Sequence, residues 1–307
     1  MANVMRLMLA LGCAACGLSA QATEQTVVAF TTAGAATEIP ATLIKPDGMG
    51  PFPAVLILHD CSGLGARSSG APMRWASELL QQGYVVLIPD SFSPRGFADG
   101  VCFIPGSQSV SAGIYVRAAD AYGALALLRT LPYVDAKRIG VMGGSHGGST
   151  TLAAMFATSD AGDPLAAAKR DGFAAAIALY PGCAARYGDW WTRRMGAFGP
   201  PAGYAGVYKP IAPLLILIGE RDDWTPADPC RRLAETSKAA GLPVEIKVYP
   251  DSHHSFDSDR PVRYDGARNN PSSPSGRGAT TGGNSAAWED AKNQVSAFFA
   301  LHLKQQR

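Results

Sequence analysis

The sequence predicts an α/β protein built on a mostly parallel, doubly wound sheet flanked by helices. Three observations predict it. Short apolar runs of strand length alternate with longer stretches of helical apolar spacing. Each run opens into a loop carrying glycine or polar residues. A length of 307 residues, 47% hydrophobic and only 17% charged, supplies one sizeable core.

In chain order, the start passes from Arg6 into an apolar stretch, Leu7 to Leu18, and reaches small residues at Ala20-Gln21-Ala22. That layout predicts a signal peptide over residues 1–22 with an A-x-A type cleavage site. The run is shorter than the roughly 20 residues of a spanning helix, so no stable membrane span is expected once the leader is removed, and the protein is expected in the periplasm or outside the cell. Cys13 and Cys16 suggest a lipoprotein, but Ala10-Leu11-Gly12 fits a lipidation signal poorly. Residues 23–307 then form a single domain.

The domain opens with β-like segments, Thr26 to Thr31 and Glu38 to Ile44. Buried strands are predicted at Ala54 to His59, Tyr84 to Pro89, Ile139 to Gly143, Ala174 to Tyr180, Leu214 to Gly219 and Val244 to Tyr249. Helical spacing marks Met73 to Gln82, Ile114 to Leu131, Gly147 to Ala157 and Ala227 to Ala240, with Gly83 and Gly241 as stops. Asp135 reads as shaping the turn into the third buried strand. A last amphipathic helix, about Ala286 to Leu303, presents Val295, Phe298, Phe299 and Leu303 as a packing stripe. Residues 184–210 and 257–284 break the alternation and read as long loop insertions, lids or surface excursions.

Composition narrows the functions. With 27 basic and 25 acidic residues the net charge is +2, which provides no footprint for nucleic acid. Beyond the leader, Cys61, Cys102, Cys183 and Cys230 form an even set that suits an oxidising compartment. Three pairings are possible; Cys61 with Cys102 and Cys183 with Cys230 would join loops expected on one face.

Gly143-Gly144-Ser145-His146-Gly147 is a G-x-S-x-G pattern. With 34 glycines in the chain the pattern alone is weak. Its position directly after a strand and before a helix is what makes it a nucleophile elbow. A serine hydroxyl needs a base, and the chain offers five histidines. His146 adjoins the serine, His302 sits in the last helix and His59 ends an early strand, which leaves His253 and His254. Three candidates for the acid that orients the base, Glu220, Asp222 and Asp223, follow the Leu214 to Gly219 strand. The His59-Asp60-Cys61-Ser62-Gly63 loop lies where an oxyanion donor belongs, pairing the Cys61 backbone N–H with that of His146. No metal or nucleotide motif is found, and no cofactor is expected. Trp190, Trp191, Tyr204 and Tyr208 in the first insertion read either as an acyl wall or as residues that pin the insertion down.

These segments resemble the dienelactone hydrolase family of α/β-hydrolases over roughly Glu38 to Leu303; the resemblance is carried by the Cys61 loop, Gly83 to Asp90, the elbow, Gly219 to Pro226 and Tyr249 to Phe256. It implies the α/β-hydrolase fold, a small-molecule ester or lactone substrate, Ser145, Asp222 and His254 as catalytic residues, and Cys61 and His146 as oxyanion donors. The enzymes that gave the family its name use a cysteine nucleophile, where this chain has Ser145, and a glutamate where it has Asp60. Arg95 and Arg260 fall near, but not at, the positions where that family grips a substrate carboxylate. Trp224 is a further candidate contact. Two other readings are a peptidase or amidase of the same fold and a catalytically lapsed secreted binding protein.

Overall fold

A computed structural model of the chain describes residues 24–105, 110–158 and 163–305. The leader expected at 1–22, with Cys13 and Cys16, lies outside the described residues.

The chain begins with an antiparallel pair, β1 (Glu24–Thr31) and β2 (Glu38–Lys45). It continues through β3 (Phe52–Leu58), α1 (Ala71–Gln81), β4 (Val85–Pro89), α2 (Ile114–Thr130), β5 (Val134–Gly144) and α3 (His146–Met155). A short α4 (Ala166–Arg170) precedes β6 (Ala175–Leu179), and a hairpin of β7 (Trp191–Arg193) and β8 (Gly203–Ala205) follows. Then come β9 (Leu214–Gly219), α5 (Ala227–Ala239), β10 (Val244–Tyr249), a second hairpin of β11 (Arg263–Asn269) and β12 (Arg277–Thr281), and α6 (Ser285–Phe299). The last helix widens into a π turn over Ala300–Lys304.

Eight strands form one sheet in the order β1-β2-β4-β3-β5-β6-β9-β10. From β4 across to β10 every pairing is parallel, with Val55 opposite Val86, Leu56 opposite Val141 and Ala178 opposite Ile216. A parallel sheet is covered on both faces by its crossover helices, so its inner strands are apolar on both sides. Every residue of β4, β6 and β9 is buried accordingly. The outer strand β10 is fully buried only at its two ends, Val244 and Tyr249, with Glu245 exposed. Because β3, β5, β6, β9 and β10 run the same way, their C-terminal ends open at one edge, the usual place for a site in such a sheet.

Several sequence expectations shift. β5 begins at Val134, ahead of its apolar run, so Asp135 lies within the strand; its carboxylate accepts from the Lys137 N–H at 2.9 Å and pairs with Arg138 at 2.7 Å. α3 starts at His146 and stops at Met155, short of the expected Ala157. Both insertions carry a hairpin where only loops were expected. Their strands are short, rich in glycine and polar residues, and have no apolar alternation. Hydrogen bonds to the body of the protein hold them instead: Trp224 Nε1 donates to the Asn269 carbonyl at 2.8 Å, and the Asn269 N–H donates to the Cys102 carbonyl at 3.0 Å. In the first insertion Trp190 and Tyr208 are fully buried, with Trp190 Nε1 on the Cys183 carbonyl at 2.8 Å and the Tyr208 hydroxyl on the Leu152 carbonyl at 3.0 Å. These aromatics pin the insertion to the core and do not form an acyl wall.

The disulfides are Cys61–Cys102 and Cys183–Cys230; the first joins two loops, whereas the second ties the loop after β6 to Cys230 in the first turn of α5, where a loop was expected. Among the described residues no helix is long and apolar enough to cross a membrane. The Cys183–Cys230 bond closes a loop with a sequence separation of 47. Chain entropy assigns such a closure about 4 kcal/mol. Replacing both cysteines by alanine is expected to lower the unfolding free energy by about 2–4 kcal/mol, measured by denaturant titration without reductant; a change below experimental error would show that the bond does not restrain the unfolded chain.

Candidate active site

Ser145 stands on a sharp bend between β5 and α3. Its backbone has φ 55° and ψ −116°, a strained conformation for a residue with a side chain, so the strain lies at the serine itself. The glycines on either side answer a different need. A Cβ on Gly147 would sit 1.9 Å from the Leu58 carbonyl oxygen, and one on Gly143 would sit 2.7 Å from the same atom. The elbow therefore packs backbone against backbone on the end of β3. The Ser145 N–H donates to the Leu179 carbonyl at 2.9 Å, tying the bend to β6 as well.

Asp222 and His254 reach the serine from the ends of β9 and β10. His254 Nε2 lies 2.8 Å from Ser145 Oγ, and Nδ1 lies 2.8 Å from Asp222 Oδ2. A carboxylate only accepts, so the ring carries its proton on Nδ1 and leaves Nε2 free to take the serine proton. Asp222 is 4% exposed and accepts at its other oxygen from the N–H groups of Trp224 at 3.0 Å and Thr225 at 2.8 Å. Asp223 turns the other way and accepts from the Thr280 N–H and hydroxyl at 2.8 and 2.7 Å. The same residue type thus orients an imidazole at one position and secures a hairpin at the next. Glu220 pairs with Arg231 at 3.6 Å on the surface. His253 donates from Nδ1 to the Arg221 carbonyl at 3.0 Å and is not directed at the serine. Tyr180 and Trp224 flank the His254 ring at 4.8 and 4.9 Å.

Cys61 and His146, the expected oxyanion donors, lie on either side of the elbow, Cys61 in the loop after β3 and His146 as the first residue of α3. Both line the cleft at Ser145. The Asp60 carboxylate accepts from the Ser62 N–H at 2.7 Å and from the Ser69 hydroxyl, which shapes the loop. His59 is no alternative base. Its Nδ1 donates to the Asp60 carbonyl at 2.8 Å and its Nε2 accepts from the Ser91 N–H at 3.3 Å, so both ring nitrogens are committed.

Sequence reasoning missed Arg117. It is fully buried in α2, donates to the His59 carbonyl at 2.8 Å and to His146 Nδ1 at 2.7 Å, and lies 4.8 Å over the Phe92 ring. One guanidinium therefore braces both segments that present the expected oxyanion donors. Burial lowers its pKa to about 10, with Asp120 the largest opposing influence, so it stays charged at neutral pH. The available signal was a charged pair, Arg117 and Asp120, in the middle of an otherwise apolar helical stretch.

Arg95 is a correction. Its guanidinium forms two 2.8 Å contacts with the buried Asp120 and a third, of 2.6 Å, with the Ser91 carbonyl, so it is not presented to the cleft. Trp224 and Arg260 both line the cleft.

Comparison with known proteins agrees with this architecture. The model of the dienelactone hydrolase family matches residues 39–303. A Methylorubrum extorquens protein provisionally named a carboxymethylenebutenolidase is 26% identical over 232 residues, 72% of this chain and 69% of that protein. Among solved structures, a provisionally named dienelactone hydrolase from Klebsiella pneumoniae superposes with a TM-score of 0.55 at 20% identity, covering 90% of this chain and 99% of that one. Thermogutta terrifontis esterase 2 phosphorylated by paraoxon superposes with a TM-score of 0.58 at 16% identity, covering 92% and 96%. At these identities the structural matches speak to the fold.

Burial and the Arg117 charge lower the His146 pKa from 6.5 to about 3, and the same two causes place His59 well below its ordinary value. Both rings are neutral in the folded protein near neutral pH, whereas the unfolded chain binds their protons below about 6.5. This contribution is complete above pH 6.5 and is lost as pH falls toward 3. The melting temperature is expected to drop from pH 7 to pH 4, and less steeply in His146→Gln, whose amide oxygen can still accept from Arg117; equal slopes in scanning calorimetry would count against the assignment. Arg117→Met leaves two buried acceptors unpaired and is expected to cost about 2–4 kcal/mol. The same variant should lower kcat roughly tenfold or more with little change in KM, read from ester hydrolysis kinetics.

Proposed function

The chain belongs to the dienelactone hydrolase family, and from that premise we propose that it hydrolyses carboxylic esters or lactones through an acyl-enzyme on Ser145. The observation that carries this reading is the unbroken run of contacts from Asp222 through His254 to Ser145, two links of 2.8 Å each.

Ser145 Oγ attacks the ester carbonyl carbon as His254 Nε2 takes its proton. Asp222 stabilises the imidazolium and holds its tautomer. The carbonyl oxygen becomes an oxyanion beside the backbone N–H groups of Cys61 and His146, with the Arg117 charge behind them. Collapse breaks the bond to the alkoxy oxygen, which leaves with the proton from His254. A water, deprotonated by the same ring, then attacks the acyl-enzyme and frees the acid. A serine lacks the intrinsic thiolate population of a cysteine, which fits a site whose base is already seated against the nucleophile.

Export is part of the same reading, supported by the two disulfides. Ser145→Ala is expected to reduce kcat/KM for p-nitrophenyl acetate by several orders of magnitude, on the order of 10⁴-fold or more. A fluorophosphonate should add to the wild type at Ser145 alone, as read by peptide mass spectrometry. Undiminished turnover in the alanine variant would overturn the mechanism.

A further inference from the structure

The cleft at Ser145 has two lobes of opposite character. Cys61, Cys102, Ser145 and Trp224 line both, so the Cys61–Cys102 disulfide and the Trp224 ring form the partition, with the serine at the junction. One lobe, of about 340 Å³, contains His254 and is lined by Arg67, Arg74, Arg260, Arg263 and Arg268. Three carboxyl groups, Asp60, Asp99 and Asp257, share that lining. The Asp60 carboxylate is occupied by serines, and that of Asp257 by Trp75 Nε1 at 2.8 Å and the Tyr180 hydroxyl at 2.9 Å. Arg67, Arg260 and Arg263 form no ion pair among the described residues, so this lobe is cationic.

The other lobe, of about 460 Å³, contains His146 but not His254. Its walls include Val101, Ile104, Ile114, Ala185, Ala197 and Pro271. Arg194 is the charged side chain in this lining, and it is spent on the carbonyls of Gly199 and Pro271 at 2.6 and 3.1 Å. Its volume is that of a pocket for a sizeable organic group, well beyond an acetyl.

The positions of the base and the oxyanion donors distinguish the lobes chemically. In acylation the alkoxy oxygen must receive its proton from His254 Nε2, so the alcohol half departs on the His254 side. The acyl half stays bonded to Ser145 Oγ and lies on the side of His146, away from the base. Burial energetics point the same way. An alkyl chain in the arginine-lined lobe would strip water from charges it cannot replace, whereas in the other lobe it covers apolar wall.

Resting on the assignment of Ser145 and His254 above, we propose that the apolar lobe is the acyl pocket and that the enzyme acts on esters of an extended apolar acid with a small or polar alcohol, releasing the alcohol through the cationic lobe. The Ser145 Oγ–acyl bond forms as His254 takes the serine proton, and when the acyl–alkoxy bond then breaks His254 returns that proton to the departing alcohol. A second molecule, water, supplies the oxygen that frees the acid.

A pair of esters with the same long chain on opposite sides of the carboxyl tests this. Acid release from methyl octanoate and octyl acetate is followed by pH-stat titration. Wild type is expected to favour methyl octanoate at least tenfold in kcat/KM, and p-nitrophenyl octanoate over the acetate in the same direction. Ala197→Trp, a change at an exposed rim position of the apolar lobe, is expected to erase most of that preference. Preference for octyl acetate, or none in the wild type, overturns the acyl assignment whatever the variant does. Loss of that preference while Ser145 still reacts with a fluorophosphonate leaves the serine mechanism standing; failure of Ser145 to react removes the mechanism and this proposal together.

Discussion

A contact between backbones governs this site. The bend that carries Ser145 lies so close to the end of β3 that neither Gly143 nor Gly147 has room for a Cβ against the Leu58 carbonyl. That proximity brings the loop after β3, and with it Cys61, alongside the first residue of α3. Any side chain at Gly147 would push the serine away from the loop that faces it. The strained dihedrals of Ser145 persist because the surrounding packing overdetermines them, with the Leu179 carbonyl holding its N–H on one side and α3, buried along its length, on the other.

A charge buried one layer further in completes the arrangement. Arg117 joins the His59 carbonyl to the His146 ring, and Arg95 closes on Asp120 one helical turn away. A buried cation is costly unless each of its donors finds a partner. Here the terminal nitrogens are partnered by the loop after β3 and the start of α3, while Nε has no partner, so the buried charge is only partly compensated as it ties those two segments together.

The inner sheet was legible in the sequence because strands covered on both faces must be apolar on both faces, and Leu214 to Gly219 is found with the boundaries its apolar run marks. Elements without that requirement were not legible. The second hairpin is held by Trp224, Asn270 and Thr280 reaching across the fold, and the first insertion by Trp190 and Tyr208, contacts mostly between residues distant in sequence that leave no periodicity behind. The local run Glu220 to Asp223 could not distinguish its acids, since what separates Asp222 from Asp223 is the direction each takes out of one turn. Arg95 was misjudged for the same kind of reason: its partner, Asp120, lies on a helix that reads as apolar, and a bidentate pair across 25 residues has no local signature.

The two insertions differ as material for change. The first is fastened by aromatics to the core and reaches the second through Arg194 and Gly199 on the Pro271 carbonyl, so its tip between β7 and β8 can diverge with little disturbance of the reacting atoms as long as that contact is kept. The second is coupled to them: Thr281, at the end of β12, bridges to His254, and the Gly282 N–H holds the His254 carbonyl at 3.1 Å. A lineage adapting this scaffold to new compounds would find the first insertion a forgiving place to experiment, while each alteration near the base of the second would also retune the imidazole.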